Sequence, residues 1–409
     1  MKITRLILAL LAASVGASPA QTTSPAPALG QSAVPTSAQS PGPYRVVNRT
    51  ANSRTWQREN VVHMPNGHDS TIIHRYTEVA SGMNYQTPSG AWAESKEIIE
   101  PFANGSISRQ GQYQVIYANN LNSPGAIDLQ AADGKRLRSN ILGLMYYDRS
   151  SDQSVVIASI QDSTGELIAN NQVLYVNAFD GIKADVRYTY RRGSFEQDVI
   201  LKERPPTPQS LNLNPDTTEL EVMTEFLNPP REKLKERSIR TGQSPDQDVL
   251  WGSTYIGRGR AFDLAGGEPG KLATVRKQYT EVNGRKILLE KVSLKDMQAG
   301  LSRLPRHAGI KSKLLKTAFN HLALPTIASG KTNTGPMRLA HSAPIQDGYV
   351  LDYIALNADQ TNFTFQADTT YYVSGDFNLH GTTTIEGGTV IKMDNSNPSS
   401  LNVLDTINC

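Results

Sequence analysis

Three histidines stand close together in "HMPNGHDSTIIH": His63, His68 and His74, with Asp69 beside the second. Zinc takes three or four convergent nitrogen, sulfur or oxygen ligands. Pro65-Asn66-Gly67 makes a turn, so His63 and His68 could face each other across it. Zinc ligands are usually spaced more tightly, and a hairpin with exposed histidines is the plainer expectation. The metal ligands stay unassigned. A second cluster lies in "NAFDGIKAD" and "FEQD", which gather Asp180, Asp185, Glu196 and Asp198. Glycosidases use paired carboxylates that flank a sugar bond, and a structural calcium ion takes the same oxygens. Asp185 and Asp198 fall on the polar side of a strand alternation, which predicts solvated carboxylates.

Other nucleophile and phosphate signatures fail. "GGEPGKL" (266–272) has its glycines too close to Gly270-Lys271, and Leu272 stands where a phosphate loop needs Ser or Thr. There is no G-x-S-x-G elbow, and the only thiol is Cys409. No catalytic and no cofactor-binding residue is assigned. Trp56, Trp92 and Trp251, among 16 tyrosines, could stack against sugar rings. Aromatics in sandwiches are more often core, and Trp92, next to a turn in "SGAWAES", is the best placed for exposure.

The elements that would position these groups are strands. From 44 to 240 short alternating runs follow one another at intervals of about a dozen residues, which predicts an antiparallel β-sandwich-like domain. In "IKADVRYTYRRGSFEQDVILKE", Ala184, Val186, Tyr188 and Tyr190 alternate with polar neighbours, and Phe195, Gln197, Val199 and Leu201 do so after the turn. A smaller β-rich segment, 248–305, carries Asn283-Gly284 between two alternating runs, a hairpin signal. It closes on a helix: Ser293 can cap, Leu294, Met297, Leu301 and Leu304 share a face, and Pro305 stops it. Residues 306–345 read as a linker.

Lys2 and Arg5 precede the apolar run 6–17, which is shorter than the roughly 20 residues that span a bilayer. Residues 1–20 are therefore expected to be a signal peptide, cleaved after Ala17 or Ala20, and the Pro/Ser-rich 21–43 an extended linker. No later segment is apolar enough to cross a membrane. The net charge of +3 is too mild for a nucleic-acid face. A single cysteine in an exported chain means that packing, not disulfides, holds the fold.

From 346 to 409 apolar and Thr/Asn positions alternate between small turns in "TYYVSGDFNL", "TTTIEGGTVIKM" and "SLNVLDTINC". That texture, at about 20 residues per coil, predicts a parallel β-helix. Gly387-Gly388 supply a corner. "YYVSGDFNLHGTTTIEGGTVIK" resembles the opening coils of secreted bacterial right-handed parallel β-helix proteins of pectate-lyase-like architecture. "YTEVASGMNY", "NAFDGIKADVRYTY" and "FEQDVIL" resemble the β-rich leader that precedes such a helix in large bacterial surface proteins. The catalytic groups of pectate-lyase-like enzymes lie on middle coils, which have no counterpart here, so no residue role is carried over. Only about two coils are present, where a solenoid needs at least three repeats and a cap, so the chain is expected to be a fragment. The resemblance implies a secreted or cell-surface structural protein whose leader presents a β-helix for adhesion or contact with polysaccharide or cell-surface glycans. The alternative is the leader of a polysaccharide lyase or hydrolase whose catalytic coils are missing.

Overall fold

The computed structural model describes residues 37–38, 42–237, 244–257, 259–264, 273–306, 315–317, 324–325, 335–340, 348–356, 360–367, 369–395 and 399–409. The expected signal peptide, most of the Pro/Ser-rich linker, the segment 266–272 and most of 306–345 lie outside the described residues. Among the described residues, no helix is long and apolar enough to cross a membrane.

The chain divides into two compact units, and a long hairpin has residues in both. Its strands are β2 (Ser53–His63) and β3 (Asp69–Val79), and β1 (Arg45–Thr50) pairs antiparallel with β2. The smaller unit holds residues 1–42 and the hairpin end, 59–73. There Ser37 and Ala38 pair with His63 and Val62, and the turn closes through Gly67 N–H to the Met64 carbonyl at 3.0 Å.

Antiparallel strands make the body of the larger unit. They include β4 (Arg136–Asp148), β5 (Ala184–Tyr190), β6 (Ser194–Leu201), β7 (Thr218–Leu227), β8 (Ala273–Val282), β9 (Arg285–Ser293) and, after α1 (Leu294–Leu301), β10 (Tyr349–Leu356). One sheet runs β4-β7-β9-β8, and a second runs β5-β6-β10. Inward residues of both meet in one core: Tyr117 lies 6.2 Å from Tyr188 and 6.2 Å from Phe195.

The two sheets of the expected sandwich-like domain join into a closed path. Strand Gly259–Asp263 pairs with Ala273–Val275 of β8 on one side and with β10 on the other, joining the sheets. Closure removes free edges, a persistent liability of open sheets. The segment 248–305 is hydrogen-bonded into this system, since β9 pairs with β7 along its length. β10, read with the closing coils in the sequence, pairs antiparallel with β6. Asn283 and Gly284 both take positive φ, 52° and 77°, as the β8–β9 hairpin turn requires.

Asp148 stitches the end of β4 to the start of β7. Its carboxylate accepts from Ser150 N–H at 2.9 Å, Ser151 Oγ at 2.8 Å and Asn214 N–H at 3.0 Å, and also from Thr217 Oγ1. Burial by itself would push the Asp148 carboxyl up, and these donors hold it well below the usual carboxylate range. A lowered folded value means the contribution is fully present above the unfolded value near 3.9 and is lost as pH falls towards the folded one. Asp148→Asn is therefore expected to flatten the loss of stability between about pH 4 and pH 2. Urea midpoints across that window check it, and an unchanged slope would refute the role of this carboxylate.

The closing residues form three parallel columns. β11 (Thr370–Val373), β12 (Asp376–His380) and β13 (Thr382–Ile385) are each followed in their own column by β14 (Val390–Met393), β15 (Ser400–Val403) and β16 (Thr406–Asn408). Strands Gln360–Thr361 and Thr364–Phe365 precede β12 and β13 in the same sense, and Thr77–Val79 of β3 pairs parallel with β11. Val79, Phe365, Tyr371, Val373, Phe377 and Leu379 fill the space between columns. Like side chains stack between layers: Asn402 Nδ2 donates to Asn378 Oδ1 at 2.9 Å, 24 residues earlier. Gly388 takes φ 95° at the corner before β14.

Candidate functional site

The outer face of the sheet β1-β2-β3-β11-β14 carries aromatic rings and cations. Strand alternation dictates this: Arg54, Trp56 and Arg58 are two residues apart on β2, as are Tyr76 and Glu78 on β3, so each set shares a side. Cross-strand pairing adds Val46 opposite Trp56, Tyr372 opposite Glu78, and Lys392 opposite Tyr372. The reverse face, with Val79, Tyr371 and Val373, belongs to the core between columns.

On the outer face Tyr44 meets Tyr76 edge-on at 5.1 Å, Trp56 stacks on Tyr76 at 6.2 Å and 14°, and Tyr372 meets Tyr76 edge-on at 6.5 Å. All four rings are half-buried. Glu78 fixes the centre. It accepts Arg54 Nε at 2.7 Å, Arg54 Nη2 at 3.0 Å and Trp56 Nε1 at 2.8 Å. Burial pushes the Glu78 carboxyl up, but the Arg54 and Trp56 donors outweigh it and hold the group below its ordinary value. The Arg54 guanidinium sits 5.5 Å from the Trp56 ring, and that of Arg58 4.7 Å from the Tyr44 ring. Cations over ring faces orient both partners. The arrangement offers apolar ring surface beside hydrogen-bond donors, and its one central carboxylate, Glu78, is taken up by Arg54 and Trp56.

The three tryptophans separate as the sequence analysis allowed. Trp251 is fully buried against Phe226 at 5.0 Å and Tyr279 at 5.4 Å, in the core. Trp92 is 38% exposed beside its turn. Trp56 lies in the aromatic face. The sequence analysis names none of Tyr44, Tyr76, Tyr372 and Arg58; the i, i+2 spacing in "RTWQR" and "HRYTE" bears Arg58 and Tyr76, while Tyr44 and Tyr372 come in only through strand pairing.

The other candidate clusters do not converge. His63 Nδ1 contacts Asp69 Oδ1, the His68 N–H donates to Asn66 Oδ1 at 3.2 Å, and His74 belongs to the other compact unit. Among the described residues no group of three His, Cys, Asp or Glu could hold a metal ion. Asp185 and Asp198 are buried, which corrects the expectation of solvated carboxylates. The reason is pairing, which lets a charge leave water: Asp185 faces Lys202 Nζ at 3.1 Å and accepts Asn177 N–H, and Asp198 faces Arg187 Nη2 at 2.7 Å. Burial still outweighs Arg187 and pushes the Asp198 carboxyl up. Glu196 pairs with Arg191 at 2.7 Å, and Asp180 is exposed. Each of the three inner carboxylates has its own cation rather than a shared gap for a sugar bond.

The chain matches no family model, no curated protein and no solved structure.

Proposed function

We propose that this is an exported, cell-surface or secreted binding protein without catalytic chemistry of its own, which contacts glycans through the Tyr44/Trp56/Tyr76/Tyr372 face. In this reading the three parallel columns are the first coils of a right-handed β-helix, and the antiparallel body is the leader that presents them. The observation that carries the proposal is the half-exposed aromatic face on the very sheet that continues into the columns. Sugar rings present C–H faces that pack on aromatic rings, while Arg and Tyr edges supply hydrogen bonds to hydroxyls. An aromatic cluster left half in water fits a binding surface better than a core.

Truncating an anchoring tryptophan typically removes at least tenfold in affinity. A glycan array probed with the wild-type chain and with Trp56→Ala tests the reading. Retention of a glycan class by the wild type, with a loss of about tenfold or more in the variant, is expected. A blank array, or equal binding by both proteins, sinks it.

A further inference from the structure

The cations of the aromatic face are not equivalent. Arg54 is neutralised by Glu78 and lies 3.1 Å from Glu94 as well. Arg58, one strand alternation along, makes no ion pair among the described residues. Its Nε is shielded from water and has no hydrogen-bond acceptor, while its guanidinium rests over Tyr44. Lys392, exposed in register with Tyr372, is likewise without a carboxylate partner among the described residues. A donor shielded from water and left unpaired is unfavourable in a free protein. Arg presents a planar fork that matches carboxylate and sulfate oxygens in pairs.

Resting on the glycan reading, we infer that the ligand is an acidic glycan, with sugar rings on Trp56, Tyr76 and Tyr44 and an anionic substituent on Arg58. Arg54 is taken up by Glu78 and Glu94, and Asp394 lies against Tyr372, so Arg58, stacked on Tyr44 and without an ion pair among the described residues, is the cation placed to meet an anionic substituent beside the rings. A carboxylate and a sulfate share the required chemistry, since each offers two oxygens to one guanidinium.

The test uses one sugar backbone in three charge states: dextran, carboxymethyl-dextran and dextran sulfate, titrated against the full chain by tryptophan fluorescence and calorimetry. The wild type is expected to bind one or both charged polymers at least about tenfold more tightly than dextran, less so at high salt. Preference for the carboxymethyl or the sulfated polymer identifies the anion. Arg58→Gln should weaken binding of the charged polymers about tenfold more than it weakens binding of dextran, and Arg58→Lys should recover part of that difference. Trp56→Ala should lose all three. Thermal melts of each variant check that the fold is kept. Equal binding of dextran and the charged polymers, or an Arg58→Gln chain that binds like the wild type, overturns the inference while the glycan reading stands. No binding to any polymer, together with a blank glycan array, overturns both. Light scattering that shows wild-type dimers abolished by Trp56→Ala, with no glycan effect, assigns the face to a second copy and also overturns both.

Discussion

Gly82→Ala is expected to cost about 3 kcal/mol of stability or to prevent folding, where Gly388→Ala costs about 1 kcal/mol. Both glycines have positive φ, 69° and 95°, so both substitutions incur backbone strain. Space separates them. A Cβ on Gly82 would stand 2.0 Å from the Arg192 carbonyl oxygen and 2.5 Å from its carbon, and backbone cannot swing aside as a long side chain can. At Gly388 the nearest atom is 3.9 Å away. Gly82 sits at a joint. Its N–H donates to Asn52 Oδ1 at 2.6 Å, the neighbouring Ser81 N–H donates to the Asp376 carbonyl at 2.8 Å, and Ser81 Oγ accepts Asn378 N–H at 3.1 Å. Asn84 continues the joint by donating to the carbonyls of Thr50 and Ser53 at 2.7 and 3.1 Å. Pushing the 80–84 segment off the Arg191–Ser194 turn would strain contacts to β2, to β12 and to the antiparallel body together. Urea midpoints of the two variants decide the matter, and equal losses would show that strain alone acts at Gly82.

This joint is the sequence "ASGMNY", so part of the fold was visible in the chain before its geometry. What could be read is local. Asn283-Gly284 dictates a turn by its backbone freedom. The apolar spacing of Leu294, Met297 and Leu301 yields α1 with those three residues buried, although Ser293 makes no side-chain cap bond. The Thr/Asn texture read over 346–409 yields parallel strands from Gln360 on, with Asn362 and Thr382 bonded across 20 residues. What could not be read is pairing at a distance. Asp185 and Asp198 look solvated by alternation, and only Lys202 and Arg187, on facing strands, make their burial tolerable. The closed path depends on Gly259–Asp263 touching two strands at once, which no period reports. The aromatic face draws Tyr44, Trp56 and Tyr76 from the hairpin sheet and Tyr372 from the columns, a convergence that spacing within any one strand leaves open.

The same limit hides the ion pair inside the body, which sets the other large expected effect. Lys277 of β8 and Glu290 of β9 are cross-strand partners with side chains 0% and 4% exposed, and Lys277 Nζ donates to Glu290 Oε1 at 2.6 Å. Gln197 Nε2 reaches Glu290 Oε2 at 3.3 Å and Thr224 Oγ1 at 3.3 Å from the opposing sheet. Lys277→Met leaves the Glu290 carboxylate buried without its cation, and is expected to cost about 3–5 kcal/mol. Glu290→Leu takes this carboxylate from the buried Lys277 ammonium and should also destabilise the fold. The double variant removes both charges, and Gln197 keeps Thr224. Replacing a buried pair by apolar residues of similar volume is commonly neutral, so the double variant should recover most of either single loss. Denaturant unfolding of the four proteins closes the cycle. A coupling energy of at least about 2 kcal/mol is expected. Additive losses would mean that the two charges do not stabilise each other, and that the pairing of β8 with β9 rests on apolar neighbours such as Tyr279 opposite Leu288 rather than on this bond.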